Sequence, residues 1–573
     1  MTWTIRGVMG ALGTWLAEAS GRFAATLSTP GLLLATLFFA ASLTPSLLPR
    51  PLGLQGILSG VSLAAGYGLG VFGRWLWGYL ELPVPGPRTH RIVTLTAAAL
   101  CLATALLFLR QAAEWQNSVR LLMELDPADT AHPFRLGIVA ALVAGGLLTV
   151  GRFFGLVFGL LAGWFSSHLP RRVANVAGVV AAVALFWVVL DGVLFQRAFR
   201  GLDASFQQVD ALVEPQFERP TAPLRTGSSS SLLDWDDLGR RGREFVASGP
   251  NREALMDFVE DDEAPVLDPI RVYVGLNSAE TIQERVRLAL EELKRVGAFD
   301  RSTLVIATPT GTGWLDPKAL DPLEYLHRGD VATVAVQYSY LASWLSLLVE
   351  PEHGDATVRA LFSEVYSHWT DLPEEERPNL YLYGLSLGAL NSERSADLFD
   401  VIGDPFQGAL WAGPPFRSTT WRTITDEREP NSPAWLPRFR DGSVVRFANQ
   451  EGGLEIPGVE WGPLRIVYLQ YASDPITFFE GRALFRQPGW MEEPRAPDVS
   501  PELRWYPVVT VLQLAVDIVT ADVAPVGYGH VYAPDDYIDA WIAVTNPPDW
   551  SPEQVERLKE HFKEHFQDDE EEE

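Results

Sequence analysis

Gly384-Leu385-Ser386-Leu387-Gly388 sets a serine between two glycines at the spacing of a nucleophile elbow, a sharp strand-to-helix turn that projects a hydroxyl away from the backbone. The pattern recurs by chance in long chains and counts only in its proper context. Here the context fits. Residues 379–384, "NLYLYG", read as a buried strand, and "LGALNSERSADLF" behind the serine can continue as a helix. The competing reading is a serine in a glycine-rich packing turn. A serine hydroxyl is a weak nucleophile near neutral pH. It needs a base to take its proton and a third group to orient that base. After a strand–elbow–helix nucleophile, the acid and then the histidine follow along the chain.

Three histidines follow Ser386: His530, His561 and His565. The last two fall in "ERLKEHFKEHFQDD", an amphipathic terminal helix where histidines are ordinary surface residues. His530 lies in the turn-rich "VGYGHVYAP", between a helical run at 503–521 and a helix starting near Asp535, and is the candidate base. For the acid, Asp474 in "ASDPI" directly follows the strand-like "RIVYLQY". Its carboxylate would therefore emerge at a strand C-terminal end, where catalytic groups collect in open parallel sheets. The rival, Asp404 in "GDP", precedes a strand and would sit at the opposite edge. A tetrahedral intermediate also requires two amide donors for its oxyanion. Leu387 supplies one. The loop "TPTGTGW", residues 308–314, offers the other through Gly311 or Thr312, with Gly311 and Gly313 permitting close backbone approach; a plain glycine turn is the alternative. The histidines lack metal-ligand spacing, so neither metal nor cofactor is expected.

These residues need a scaffold, and short β-rich runs alternating with helical stretches predict a mostly parallel sheet covered by helices. Strands are predicted at 270–275, 303–308, 331–337, 379–384, 407–412, 443–448 and 465–471. Residues 413–442, rich in Pro, Arg and Trp, form either a lid or a structural excursion. "GSSSS" at 227–231 reads as a flexible connection within a linker at 201–232, and the acidic end at 567–573 as a solvated, disordered tail. The α/β domain would then run uninterrupted over 233–566.

Residues 1–200 differ in kind. They carry 14 basic and 7 acidic residues, against 31 and 65 in the remainder. That acidic remainder argues against nucleic acid as a partner, because phosphate binding needs a basic footprint. Apolar runs near 31–48, 55–73, 92–110, 136–151 and 174–195 predict five membrane spans, a helical transmembrane bundle ahead of the α/β domain. Residues 153–169 read as an interfacial helix or a sixth span. Pro45 should break the first span, with Ser42, Thr44 and Ser46 satisfying the freed backbone groups. Gly66-x-x-x-Gly70 suits close helix packing, and Asp191 inside the last span is either paired structurally or functional. Arginines at 74, 88, 91, 152, 171 and 172 mark the cytoplasmic loops, which with five spans puts the C-terminal domain outside the cytoplasm. Cys101 is the lone cysteine and leaves the redox compartment open.

Across both halves, through "SLTPSLLPRP", "WDDLGRRGREFV", "YLYGLSLG" and "WAGPPF", the chain resembles a bacterial family of membrane-attached α/β-hydrolases. The resemblance implies an α/β-hydrolase fold, an inner-membrane location and a Ser-Asp-His hydrolase carried here by Ser386, Asp474 and His530. It specifies no substrate. Membrane attachment favours a lipid, cell-envelope or small ester, cleaved or transferred through an acyl-enzyme. The contrasting expectations are a transporter with a regulatory hydrolase-like domain, whose flux would survive Ser386→Ala, and an inactive scaffold that no serine-directed probe would label. The resemblance departs in one place, since no convincing strand precedes His530.

Overall fold

Proline sets the first boundary. The computed structural model describes residues 28–83, 86–188, 210, 216–259, 265–341, 351–396 and 402–572. Helix α1 (Thr29–Ser42) opens on Ser28, whose hydroxyl accepts from the Gly31 amide, and stops short of Pro45, which has no amide to continue it. The Ser42 and Thr44 hydroxyls donate to the carbonyls of Phe39 and Ala41, groups that a broken helix leaves open. Ser46 instead donates to Asp517, 2.5 Å away. Helices α2 (Leu52–Tyr79), α3 (Pro87–Arg120), α4 (Pro133–Ser166) and α5 (Arg171–Trp187) follow.

Helix α2 has two small-residue faces. A Cβ added at Gly66 or Gly70 would lie 2.5 Å from the carbonyl oxygen of Leu34 or Pro30 in α1, and Gly60 approaches Ala140 and Val143 of α4 as closely. Backbones meet there because no side chain intervenes.

Of the five expected spans, three fall on helical stretches that, among the described residues, are long and apolar enough to cross a membrane: Leu52–Tyr79, Arg88–Met123 and Pro133–Ser166. Helices α1 and α5 are apolar but shorter. The expected interfacial helix at 153–169 does not stand apart. No proline interrupts the run after Pro133 until Pro170, so α4 continues through it to Ser166. The described part of the expected last span is α-helical, and its remainder from residue 189 on, Asp191 included, lies outside the described residues.

Each predicted strand forms: β1 (Ile270–Val274), β2 (Thr303–Thr308), β3 (Val331–Val336), β4 (Asn379–Leu385), β5 (Gly408–Ala412), β6 (Val445–Ala448) and β7 (Arg465–Leu469). Every pairing is parallel, in the order β1-β3-β2-β4-β5-β7-β6. β1 to β5 are buried almost throughout, which is why they read as near-continuous apolar runs rather than alternating ones. The helix Ile282–Arg295 shows how the covering layer is written. A Thr281–Glu284 capping box starts it, Lys294 and Arg295 end it, and its Val286, Ala289, Leu290 and Leu293 are buried.

Two boundaries differ from expectation. Residues 227–231 are not a free linker. The hydroxyls of Thr226 and Ser231 and the Leu232 amide donate to the carboxylate of Glu292, which Arg295 also clamps at 2.7 Å. A buried carboxylate must fill its acceptor sites, and these short polar side chains fill them. The α/β domain is also not continuous over 233–566. The chain forms two compact units, and Glu480–Met491 and Val499–Thr520 belong with the N-terminal helices rather than with the sheet. Within that first unit, Asp517 on the apolar helix Val509–Val519 accepts from Ser46 and from the Leu47 amide. The acidic end, expected to be disordered, extends the helix Pro552–Glu572, which no proline interrupts.

Candidate active site

β4 ends at Leu385, and Ser386 turns the chain into the helix Leu387–Glu393 with φ 58° and ψ −124°. A non-glycine residue at positive φ is strained and persists only where its surroundings hold it. The Ser386 amide donates to the Ala412 carbonyl at the end of β5, and its carbonyl accepts from the Leu390 amide. The flanking glycines are required by contact. A Cβ at Gly384 would lie 2.4 Å from the Gly388 carbonyl carbon, and one at Gly388 would lie 2.3 Å from the Thr308 carbonyl oxygen. The same approach sets the loop after β2 against the elbow.

That loop is internally closed. The Thr310 amide donates to the Trp314 carbonyl and the Gly313 amide to the Thr310 carbonyl, while Tyr273 Oη donates to Gly313. Gly313 adopts φ 85°, Gly311 is buried and Thr312 half-buried. Leu387 is the first helical residue, so its amide is one of those a helix leaves without an internal acceptor.

Asp474 emerges past the C-terminal end of β7 and caps the short helix Pro475–Phe478. Its side chain is fully buried and its acceptor sites are filled. Oδ1 accepts from the amides of Ile476 and Thr477. Oδ2 accepts from Thr477 Oγ1 at 3.1 Å, Tyr532 Oη at 2.8 Å and His530 Nδ1 at 2.7 Å. A proton on Nδ1 leaves Nε2 as the basic nitrogen of the neutral ring.

His530 lies on a tight turn with Gly527 at φ 89° and Gly529 at φ 58°. The Gly529 amide donates to Ser473 Oγ and the His530 amide to the Ala521 carbonyl, so the turn is tied on both sides of the ring. The imidazole lies against Gly413, where a Cβ would meet its Cε1 at 2.5 Å. Gly413 directly follows Ala412, the residue that accepts the Ser386 amide. His530 Nε2 is buried and makes no hydrogen bond among the described residues. Burial alone would lower the pKa of His530. The Asp474 charge and hydrogen bond, with smaller help from Asp522 and Asp316, more than offset it, leaving the pKa above its ordinary value.

The other candidates lie elsewhere. Asp404 precedes β5 and pairs with Arg377 at 2.7 Å. His561 packs against Phe258 and Tyr325 on the terminal helix. Tyr532, Thr477, Ser473 and Gly413 escaped the sequence reading.

Residues 413–442 are fastened at this end of the sheet. Glu393, on the helix behind Ser386, accepts from the Ser418 hydroxyl, the Thr420 amide and Tyr468 Oη. Trp421 Nε1 donates to Gln470 at 2.6 Å, and the Gln470 amide donates to the Trp435 carbonyl. The Phe416 amide reaches the Ile476 carbonyl, two residues past Asp474.

A family model described as "Alpha/beta-hydrolase family" matches residues 270–558, and one described as "Alpha/beta-hydrolase family N-terminus" matches residues 43–250. Searches of curated proteins and of solved structures returned no match.

Proposed function

The chain belongs to this α/β-hydrolase family, and from that premise we propose that it is a serine hydrolase in which Ser386, His530 and Asp474 form the catalytic triad. The observation that carries the reading is the Asp474–His530 pair, with a buried, unpartnered Nε2 on a ring packed beside the residue after Ser386's own backbone partner. In the reaction, His530 Nε2 takes the Ser386 proton as Oγ attacks the ester carbonyl carbon. The Leu387 amide and an amide of the 308–314 loop, from Gly311 or Thr312, receive the oxyanion. His530 returns the proton to the departing alcohol, leaving an acyl group on Ser386, and then activates water or an acceptor alcohol to release it. Asp474 fixes the tautomer and stabilises the imidazolium, and Tyr532 and Thr477 fix Asp474.

The N-terminal helices anchor the protein in a membrane. Support comes from the three long apolar stretches and from the exposed Leu95, Leu102, Leu142 and Leu160 on α3 and α4. Arg74, Arg88 and Arg91 gather where α2 ends and α3 begins, which the positive-inside rule assigns to the cytoplasm. On this reading, with α5 as a further crossing after α4, the hydrolase domain lies outside the cytoplasm, and its substrates are lipid or cell-envelope esters. The test is turnover of p-nitrophenyl esters of increasing acyl length by the full chain in detergent micelles. The reading expects hydrolysis that Ser386→Ala reduces by at least about 10³-fold. Equal turnover by both proteins would sink it.

A further inference from the structure

The helix Val509–Val519 is inside out. Its polar residues Thr510, Gln513 and Asp517, with Thr520 just past its end, are all buried, whereas Ala515 and Val519 face outward and Val511, Leu512, Val516 and Ile518 are half-buried. A helix on a water-facing surface has the reverse pattern, with apolar residues inward and polar ones in solvent. The buried side chains find their partners within their own unit. Gln513 Nε2 donates to the Thr44 carbonyl at 3.1 Å, Asp517 accepts from Ser46 and the Leu47 amide, Thr520 Oγ1 donates to the Asp517 carbonyl, and Thr510 Oγ1 accepts from the Tyr506 amide. Polar groups turned toward protein and apolar ones turned out is the arrangement that hydrocarbon imposes.

A second exposed apolar element adjoins the helix. Phe485 is 69% exposed and Leu484 44%, between the exposed Arg482 and Arg486. The Val508 amide donates to the Leu484 carbonyl at 3.0 Å and Trp505 Nε1 to the Ala483 carbonyl at 2.8 Å, so this turn is fixed to the residues that lead into the helix. Large apolar side chains held outward beside guanidinium groups suit the boundary between acyl chains and phosphates.

From this inverted polarity we infer that Val509–Val519 and the Leu484–Phe485 turn rest in one leaflet of a phospholipid bilayer, a membrane attachment separate from the long N-terminal helices. Its 11 residues rise about 16 Å, half of a hydrocarbon core of about 30 Å, so the helix cannot cross. Its unit shows what covers the face. Val509–Val519 packs with α1 and α2, in the same compact unit as the three stretches long and apolar enough to span. The bonds to Thr44 and Ser46 put it where α1 ends and α2 begins, at the far end of α2 from Arg74, and so in the leaflet away from the cytoplasm. The inference rests on the reading of the N-terminal helices as a membrane anchor and is independent of the triad. In sequence the attachment falls between Asp474 and His530, so the chain returns to the bilayer partway through the hydrolase domain.

The test is fluorescence quenching of the full chain in vesicles of phosphatidylcholine and phosphatidylglycerol. In a Cys101→Ser background, which removes the native thiol, a bimane is attached at Val519→Cys or Phe485→Cys. Leu142→Cys on α4 is the lipid-facing reference and Glu291→Cys on the helix Ile282–Arg295 the water-facing one; all four positions are exposed, so the label leaves the packing intact. Lipid brominated on its acyl chains should quench the Val519→Cys and Phe485→Cys probes to within about twofold of the Leu142→Cys probe, and aqueous iodide should quench both at least about fivefold less than the Glu291→Cys probe. Quenching by brominated lipid at Leu142→Cys but at neither Val519→Cys nor Phe485→Cys would overturn the inference and leave the anchor reading intact. No quenching at Leu142→Cys either would overturn both. Shielding from iodide without quenching by lipid would show that protein, such as a second copy of the chain, covers the face, and would equally overturn the inference.

Discussion

Asp474 and Asp517 are both fully buried carboxylates, and their surroundings have opposite character. Asp474 is saturated, with two amides, two hydroxyls and an imidazole on its two oxygens. Asp517 keeps one oxygen empty and its arginine partner beyond hydrogen-bond reach. A saturated network fixes one geometry, as a group that must orient a base requires. An unsaturated one is costly unless something else completes it. Only 42 residues of chain separate the two aspartates, yet they belong to different units.

The sharpest way to break this contrast is to damage the saturated site without unfolding it. Asp474→Asn keeps the shape but removes the charge and favours the wrong imidazole tautomer. The kcat/KM for an activated ester should fall by about 10⁴-fold with the protein still folded. A fall of less than tenfold would mean that Asp474 is only a helix cap. At the unsaturated site, Asp517→Ala strands the buried Arg50 charge and should cost about 3–5 kcal/mol in unfolding experiments in detergent. A change within about 0.5 kcal/mol would show that the pair is solvated.

Smaller effects refine the picture. Tyr532→Phe removes one of the donors sharing Asp474 Oδ2 and should lower kcat/KM by about tenfold. It should also move the apparent pKa of His530 further up, because the carboxylate then answers to the imidazole with less competition. A purely structural Tyr532 would leave the pH profile where it was. The wild-type profile should lose activity on the acid side, with a midpoint above the ordinary histidine value of 6.5, since His530 acts only when neutral. In Asp474→Asn the residual activity should show that limb displaced downward, because burial then acts unopposed. Stability runs the other way. A raised folded-state pKa contributes stability below the unfolded value and withdraws it as pH rises through the folded one.

The sheet and the elbow were legible because their physics is local. A strand buried on both faces must be an apolar run, and Gly384 and Gly388 are needed by contacts within one turn of Ser386 or with the neighbouring strand's end. Chain order then led to Asp474 and His530. Other features depended on partners remote in sequence. "GSSSS" looks the same whether it hangs free or donates to a glutamate 61 residues on from Ser231. "VTVLQLAVDIV" is as apolar against the N-terminal helices as it would be against the sheet, so only the tertiary contacts of Asp517 reveal its unit. Gly413 shows no φ of 51° and no imidazole above it in "WAGPPF".

The central claim is that Ser386 is a nucleophile served by His530. Treating the full chain in membranes with a fluorophosphonate and locating the adduct by peptide mass spectrometry tests it directly. The account predicts a single phosphonylated residue, Ser386, with labelling abolished in Ser386→Ala and strongly slowed in His530→Ala. An adduct on a different serine, or a folded wild-type protein that takes up no probe, would contradict it.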